Sequence, residues 1–225
     1  MDVAVIGGTG AEGAGLTLRL AVAGHHVRIG SRDAARGAEA AARASEVVGV
    51  AIEGADNAAV AAVAEVVFVT VPFAGQAEIY RSIKDAVRPG SVVVDATSPL
   101  ATAVGGRPWE VMRPWHGSAA EQARAILGPG ARLVAGLHTV AAAALADLPN
   151  PIESDVFVCG DDAEAKAIVG RLVEDIPGLR WIDCGPLSAA RIAETLTALL
   201  VGINRRYHVH DSGFRILGHE GWGAP

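Results

Sequence analysis

The chain has 225 residues, 51% of them hydrophobic and only 4% aromatic, with a formal charge of −6. That length buries either one large α/β core or a nucleotide-binding domain with a small companion, and the acidic balance excludes a nucleic-acid partner, which would call for a basic stripe. No apolar run approaches a membrane span and the first strand leaves no room for a signal peptide, so a cytoplasmic location with no membrane partner is expected.

The run Val3-Ala-Val-Ile6 has the character of a strand buried on both faces, and it empties into a glycine-rich turn. Gly8, Gly10 and Gly13 fall on the dinucleotide fingerprint G-x-G-x-x-G. The first is expected to allow the tight turn, the second to let backbone approach a pyrophosphate, and the third to let the following helix pack on the strand. That helix offers free N–H groups and the positive end of its dipole to an anion. A second strand follows over 26–30. Where an acidic residue would mark an NAD site, the chain has Ser31 and Arg32, with Arg36 one helical turn further on. A hydroxyl and two guanidinium groups suit a dianionic 2′-phosphate, so the expected ligand is NADP.

The pattern then predicts a helix over 33–44, a short strand over 48–52, a helix over 57–64 and an apolar strand over 66–71. Ligands of a doubly wound sheet lie beyond the carboxyl ends of its strands, so Thr70, Val71, Pro72 and Phe73 should line the cofactor cleft. A helix over 74–87 and a strand over 91–95 precede a long stretch, 97–117, rich in proline and glycine and carrying Trp109 and Trp115. Such a loop reads as a lid or binding loop. Ser118 is expected to cap a helix through residue 127, with Glu121 completing a capping box. A strand over 131–137 delivers His138, Thr139 and Val140 to the same sheet edge, and 141–147 is helical by composition.

Beyond residue 150 the pattern gives a strand over 154–159, a helix opened by Asp161 and Asp162, a strand over 179–184 and the longest helix, 187–207. Its apolar positions Ile192, Leu196, Leu199, Leu200 and Ile203 recur at helical spacing, and Thr195 and Thr197 interrupt them with hydroxyls. Arg205 and Arg206 in its last turn read first as complements to the helix dipole. His208 and His210 are two apart, which points them to different faces, and no metal site is expected. Cys159 and Cys184 read as buried, reduced thiols. Strand–helix alternation with short connections implies a Rossmann-type doubly wound parallel sheet. The domain reading is a nucleotide-binding domain over 1–150 and a small C-terminal α/β domain over 151–225.

With these residues in view, the chain resembles the NADPH-dependent reductases of coenzyme F420, the F420H2:NADP oxidoreductases. The resemblance rests on Gly7-Gly-Thr-Gly10 with Gly13, Gly30-Ser-Arg32, Thr70-Val-Pro72, Leu137-His-Thr139, Val158-Cys-Gly-Asp-Asp162, Gly185-Pro-Leu-Ser188 and Glu194-Thr-Leu-Thr197. It implies an NADP-binding Rossmann domain, a small C-terminal domain covering a deazaflavin, and a homodimer. Thr9, Gly10, Ala11, Glu12, Ser31, Arg32 and Arg36 match NADP-contacting positions, with Phe73, Ala77 and Ala142 further along the cofactor. His138, Val140, Thr195 and Thr197 match positions around the deazaflavin ring, and Ser212 and Gly213 a tail segment that meets this coenzyme. Ala141 stands where the family often has proline, and Thr195 where serine can stand.

The reaction so implied is hydride transfer between C4 of nicotinamide and C5 of the deazaflavin, which asks the protein to stack two flat rings in a dry slot. His138 is the expected proton donor or polarising group, oriented with Thr195 and Thr197. The phosphate and glutamates of the deazaflavin tail offer a second reading for Arg205 and Arg206. An NADPH-dependent reductase of imines, or of ferric iron through a flavin, and a non-catalytic NADP sensor are the competing functions.

Overall fold

A computed structural model describes residues 1–218; residues 219–225, the end of the expected C-terminal domain, lie outside the described residues. The core is one eight-stranded sheet in the order β3-β2-β1-β4-β5-β6-β7-β8. Its strands are β1 (Asp2–Ile6), β2 (His26–Ser31), β3 (Glu53–Asp56), β4 (Val66–Val69), β5 (Val92–Asp95), β6 (Arg132–Ala135), β7 (Ser154–Gly160) and β8 (Leu179–Asp183). The first six are parallel, with β1 in the middle pairing Val3 with both Val27 and Val66. Every residue of β4 and β5 is buried, because helices cover both faces and a valine-rich run is what a two-sided core requires.

The helices are α1 (Ala11–Val22), α2 (Ala34–Val48), α3 (Asn57–Val63), α4 (Phe73–Ile83), α5 (Ala119–Leu127), α6 (Ala142–Ala146), α7 (Ala163–Glu174), α8 (Ala190–Ala193) and α9 (Leu196–Tyr207). Caps read from the sequence are in place. Asp162 accepts from Ala165 N–H to start α7, and Ser118 accepts from Glu121 N–H to start α5. The reciprocal half of the α5 box is replaced: the Glu121 carboxylate takes both arms of the Arg191 guanidinium at 2.7 and 2.6 Å. Arg19, 4% exposed, reaches from α1 to carbonyls at and beyond the end of α6, among them Ala144 and Leu145, and so pins that helix across α1.

Three expectations need correction. No strand forms at 48–52. Helix α2 runs on to Val48 and ends at Gly49, whose φ of 72° suits only glycine well, and the strand is Glu53–Asp56. The sheet is not wholly parallel, since β7 runs antiparallel to β6, with β8 parallel to β7. The long C-terminal helix is three pieces: a 3₁₀ turn at Leu187–Ala189, then α8, then α9. At the α8–α9 junction the N–H of Thr195 bonds three residues back to Ile192, tightening the turn, and the 15-residue α2 is longer than any of these pieces. Ile192 and Leu199, two of the apolar positions that recur at helical spacing, are 72% and 53% exposed. The cysteines are both free, Cys159 buried and Cys184 half-buried, at the ends of adjacent strands where Cys184 N–H bonds Val158 carbonyl.

The sheet crosses residue 150 without a break, because β7 and β8 extend it. The antiparallel turn of β7 brings its first residues to the edge where β1, β4, β5 and β6 end; there the Thr139 hydroxyl donates to Asp155 carbonyl. That edge is where the sequence places the site.

Candidate functional site

The turn after β1 is tightest at Gly7, with φ of 87°, and this corrects the assignment of the turn to Gly8. A Cβ on Gly13 would lie 2.5 Å from Thr70 Oγ1 and 2.6 Å from Gly7 carbonyl, so only glycine lets α1 approach β4 so closely. Gly10 caps α1 with no side chain in the way, leaving the first N–H groups of α1 open to an anion.

Two cavities meet along Gly10 and Thr70–Pro72. The first, about 390 Å³, is lined by Thr9, Ser31, Arg32 and Arg36 as expected, and also by Asn57 and Glu78. Arg32 and Arg36 are exposed and make no ion pair among the described residues, while Ser31 is buried and its hydroxyl accepts from Asp33 N–H. Asn57 is 6% exposed and its Oδ1 has no partner. A buried carbonyl left unpaired at a cavity wall is ready for a ligand donor. Sequence reading missed it; its position one residue beyond β3 was the available signal.

The second cavity, about 620 Å³, is lined by Ala11, Glu12, Phe73, His138, Val140 and Thr197, together with Ser98 and Leu100 from the long loop. His138 is 7% exposed, and neither ring nitrogen has a hydrogen-bond partner. Burial pushes its pKa down to about 4, so the ring is neutral at physiological pH. It can polarise or donate one N–H, but it is not a stored imidazolium. Leu137, just before it, holds φ of 69°, a left-handed conformation unfavourable for a branched side chain; the Val140 N–H to Leu137 carbonyl bond closes the turn that aims His138.

Thr197 ties the cavity together. Its hydroxyl donates to His138 carbonyl at 2.7 Å, which leaves Ser98 as donor in the 2.6 Å contact between the two hydroxyls. The turn after β6, the loop after β5 and helix α9 therefore converge on one oxygen. Ser98 was not among the expected residues, although the strand-end rule that selected Thr70 applies to it equally.

The other expected residues fall outside these walls. The Thr195 hydroxyl is spent on Ile192 carbonyl within its own turn. Ala77 on α4 and Ala142 on α6 are half-buried and line neither cavity, and Gly8 packs under the turn against Ile29. Ser212 and Gly213 lie against the start of β7, where Gly213 packs on Ser154.

An acidic cluster runs from the wall of the second cavity into the core beneath it. Asp95, fully buried, accepts from Thr97 N–H and from the Gln76 amide at 2.5 Å, and desolvation raises its pKa to about 6. Glu12, in the first turn of α1, is raised to about 8 by desolvation and by Asp95. Glu194, 1% exposed, accepts from Ala119 and Ala120 N–H at 2.7 and 2.9 Å, and burial raises it likewise to about 8. It fastens the α8–α9 junction to the start of α5. Both carboxyls are largely protonated at pH 7, and for Glu12 this suits a glycine turn that must receive a pyrophosphate.

These features were compared with known proteins. Residues 2–99 match the family model described as NADP oxidoreductase, coenzyme F420-dependent. The F420-dependent NADP reductase of Methanothermobacter thermautotrophicus is 43% identical over 220 residues, covering 96% of this chain and 94% of that one. The enzyme of the same description from Methanocaldococcus jannaschii is 38% identical over 225 residues, covering 98% and 100%. A crystal structure from Arthrobacter sp. FB24, provisionally described as an F420-dependent NADP reductase, superposes with a TM-score of 0.82 at 28% identity, covering 97% of this chain and all of that one.

Proposed function

This chain belongs to the F420-dependent NADP reductases, and from that premise we propose that it transfers hydride between NADP(H) and coenzyme F420 across the two joined cavities. Full-length similarity at about 40% identity favours this over an imine or ferric reductase and over a non-catalytic sensor. The observation that carries it at the site is His138: a buried imidazole with no protein partner, in a cavity that shares Gly10 and Thr70–Pro72 with the one holding Arg32 and Arg36.

The residues fit both co-substrates. Ser31, Arg32 and Arg36 suit the 2′-phosphate of NADP, and the open N-terminus of α1 suits its pyrophosphate. Glu12, Phe73, His138, Val140 and Thr197 suit the reacting rings. With both bound, the nicotinamide supplies or receives the hydride and the deazaflavin is its counterpart. The protein's part is to hold the rings in a site walled by the loop after β5, to keep water out, and to offer a neutral N–H or nitrogen lone pair from His138. Thr197 serves indirectly, fixing the His138 backbone through its carbonyl.

We read the working form as a homodimer in the cytoplasm. Trp115 and Ile192 are exposed apolar side chains of the kind a second copy covers, and both cysteines are free, as a reducing compartment requires. The decisive experiment mixes protein, NADPH and oxidised F420 and follows the deazaflavin's visible absorbance. Bleaching is expected; none at any pH from mildly acidic to alkaline refutes the reading.

A further inference from the structure

Of the arginines that make no ion pair among the described residues, two groups line cavities. One is Arg32 with Arg36. The other faces a groove of about 800 Å³ on the outer side of α9, lined by Trp109, Leu199, Gly202, Ile203, Arg205 and Arg206. Arg205 lies over the Trp109 ring at 4.5 Å, and Arg107 lies near that ring at 5.6 Å. Among the described residues neither these two nor Arg206 takes part in an ion pair; Glu110, the carboxylate nearest Arg107 in sequence, accepts the Arg107 backbone N–H at 3.2 Å. A guanidinium stacked on indole keeps its N–H fork free and oriented, which makes it a prepared anion site rather than a solvated side chain. The dipole of α9 accounts for basic residues in its last turn, but not for a guanidinium laid over indole.

Position gives the groove its ligand. Ala198, which also lines it, follows Thr197 on the wall of the ring cavity, and Trp109 belongs to the loop whose Leu100 lines that cavity. A bridge between Leu100 and Val111 and the Ala101 N–H to Glu110 carbonyl bond fold the loop so that one segment walls both spaces. Eight residues of α9 separate Thr197 from Arg205, roughly 12 Å at the helical rise. A flexible anionic chain leaving a ring beside Thr197 reaches the arginines within a few bonds of its phosphate. We propose that this groove binds the tail of F420, its phosphate and glutamate carboxylates, with Arg205, Arg206 and Arg107 as ligands and Trp109 as the platform that orders them. The proposal rests on the functional reading above, since it takes the ring to lie at His138.

The test is equilibrium binding, read from deazaflavin fluorescence without NADPH, of two probes: F420 carrying its glutamates, and the deazaflavin alcohol that lacks phosphate and tail. The native chain should bind the tailed form about tenfold or more tightly over the tail-less one, an advantage that shrinks as salt is raised. The pair Arg205→Gln and Arg206→Gln should remove most of that advantage while leaving affinity for the tail-less ring unchanged, and Trp109→Leu should remove part of it. An undiminished advantage in the double variant overturns the proposal, as does retention of it together with a change of oligomeric state, which would make the groove a seam between copies. If the native chain binds neither probe, the functional reading falls and the groove's role with it; if it binds both equally, the groove alone falls.

Discussion

At the scale of single residues, the site divides into groups that meet charge and groups that must avoid it. Arg32 sits beyond β2 with its guanidinium exposed and uncommitted, at the wall of the first cavity. A charge-assisted bond to a phosphate contributes on the order of 1.5–3 kcal/mol. Arg32→Ala should therefore weaken NADPH at least about tenfold while barely changing NADH, measured as dissociation constants for both; equal losses would show that the 2′-phosphate is held elsewhere. His138 is the opposite case. With its pKa lowered to about 4 by burial, it stays neutral across the working range and has no proton to lose near pH 6.5. His138→Gln, which keeps a hydrogen-bonding head, should slow hydride transfer and leave NADPH affinity nearly intact. Its pH–rate profile should keep the native shape, and a break near 6.5 in the native enzyme that vanishes in the variant would restore the imidazolium role.

At the scale of elements, the junction between α8 and α9 is held from a distance. Glu194 on that junction caps α5 in place of solvent, and Thr197 three residues on ties α9 to His138. Glu194→Ala leaves two buried N–H groups without partners, a loss of about 2–4 kcal/mol. It should raise KM for F420 several-fold with little change in KM for NADPH, and lower Tm; Glu194→Gln should recover part of both, and a uniform rise in the two KM values would mark Glu194 as merely structural. The same junction shows why some elements were not legible. Helix period predicted one helix over 187–207, but the break is imposed by bonds to α5, some 75 residues away in sequence. Strand β3, Glu53-Gly-Ala-Asp56, has no β-branched residue and exists because β2 offers it a backbone ladder. The direction of β7 is likewise a long-range outcome. By contrast, the buried strands β1, β4 and β5, the glycine turn and the caps at Asp162 and Ser118 are local chemistry, and the sequence shows them directly. So too for the site: residues at parallel strand ends, Thr70 and His138, were visible by rule, whereas Asn57 and the Glu194 tie depend on what the fold brings beside them.

At the scale of the molecule, the acidic layer at and beneath the second cavity sets how stability responds to pH. Glu12 and Glu194 are raised to about 8 and Asp95 to about 6, all chiefly by desolvation. A carboxyl raised by folding holds its proton more tightly in the native state. Its stabilisation is complete below the ordinary carboxyl range and is lost as pH climbs through the folded value. Two such groups act up to about pH 8, and the third up to about pH 6. His138 works in the other direction: its lowered value means the unfolded chain gains a proton between about 6.5 and 4 that the native chain refuses. One histidine against three carboxyls leaves a net fall in stability from about pH 5 to pH 8. Below pH 4 the trend reverses, because Asp155 and Asp162 are held under their ordinary range by arginine partners and must give up those contacts when protonated. The Asp155 carboxylate, with no exposed surface, takes Arg180 and Arg215 together, so its loss is the larger. Thermal scans of the ligand-free protein should thus show Tm higher at pH 5.5 than at pH 8, with a decline below pH 4. Each interacting proton is worth about 1.4 kcal/mol per pH unit at most, so the Glu12→Gln variant should flatten the alkaline limb measurably. A Tm that rises from pH 6 to pH 8 would mean that the layer is ionised in the folded protein and that its carboxyls are paired by groups other than those described.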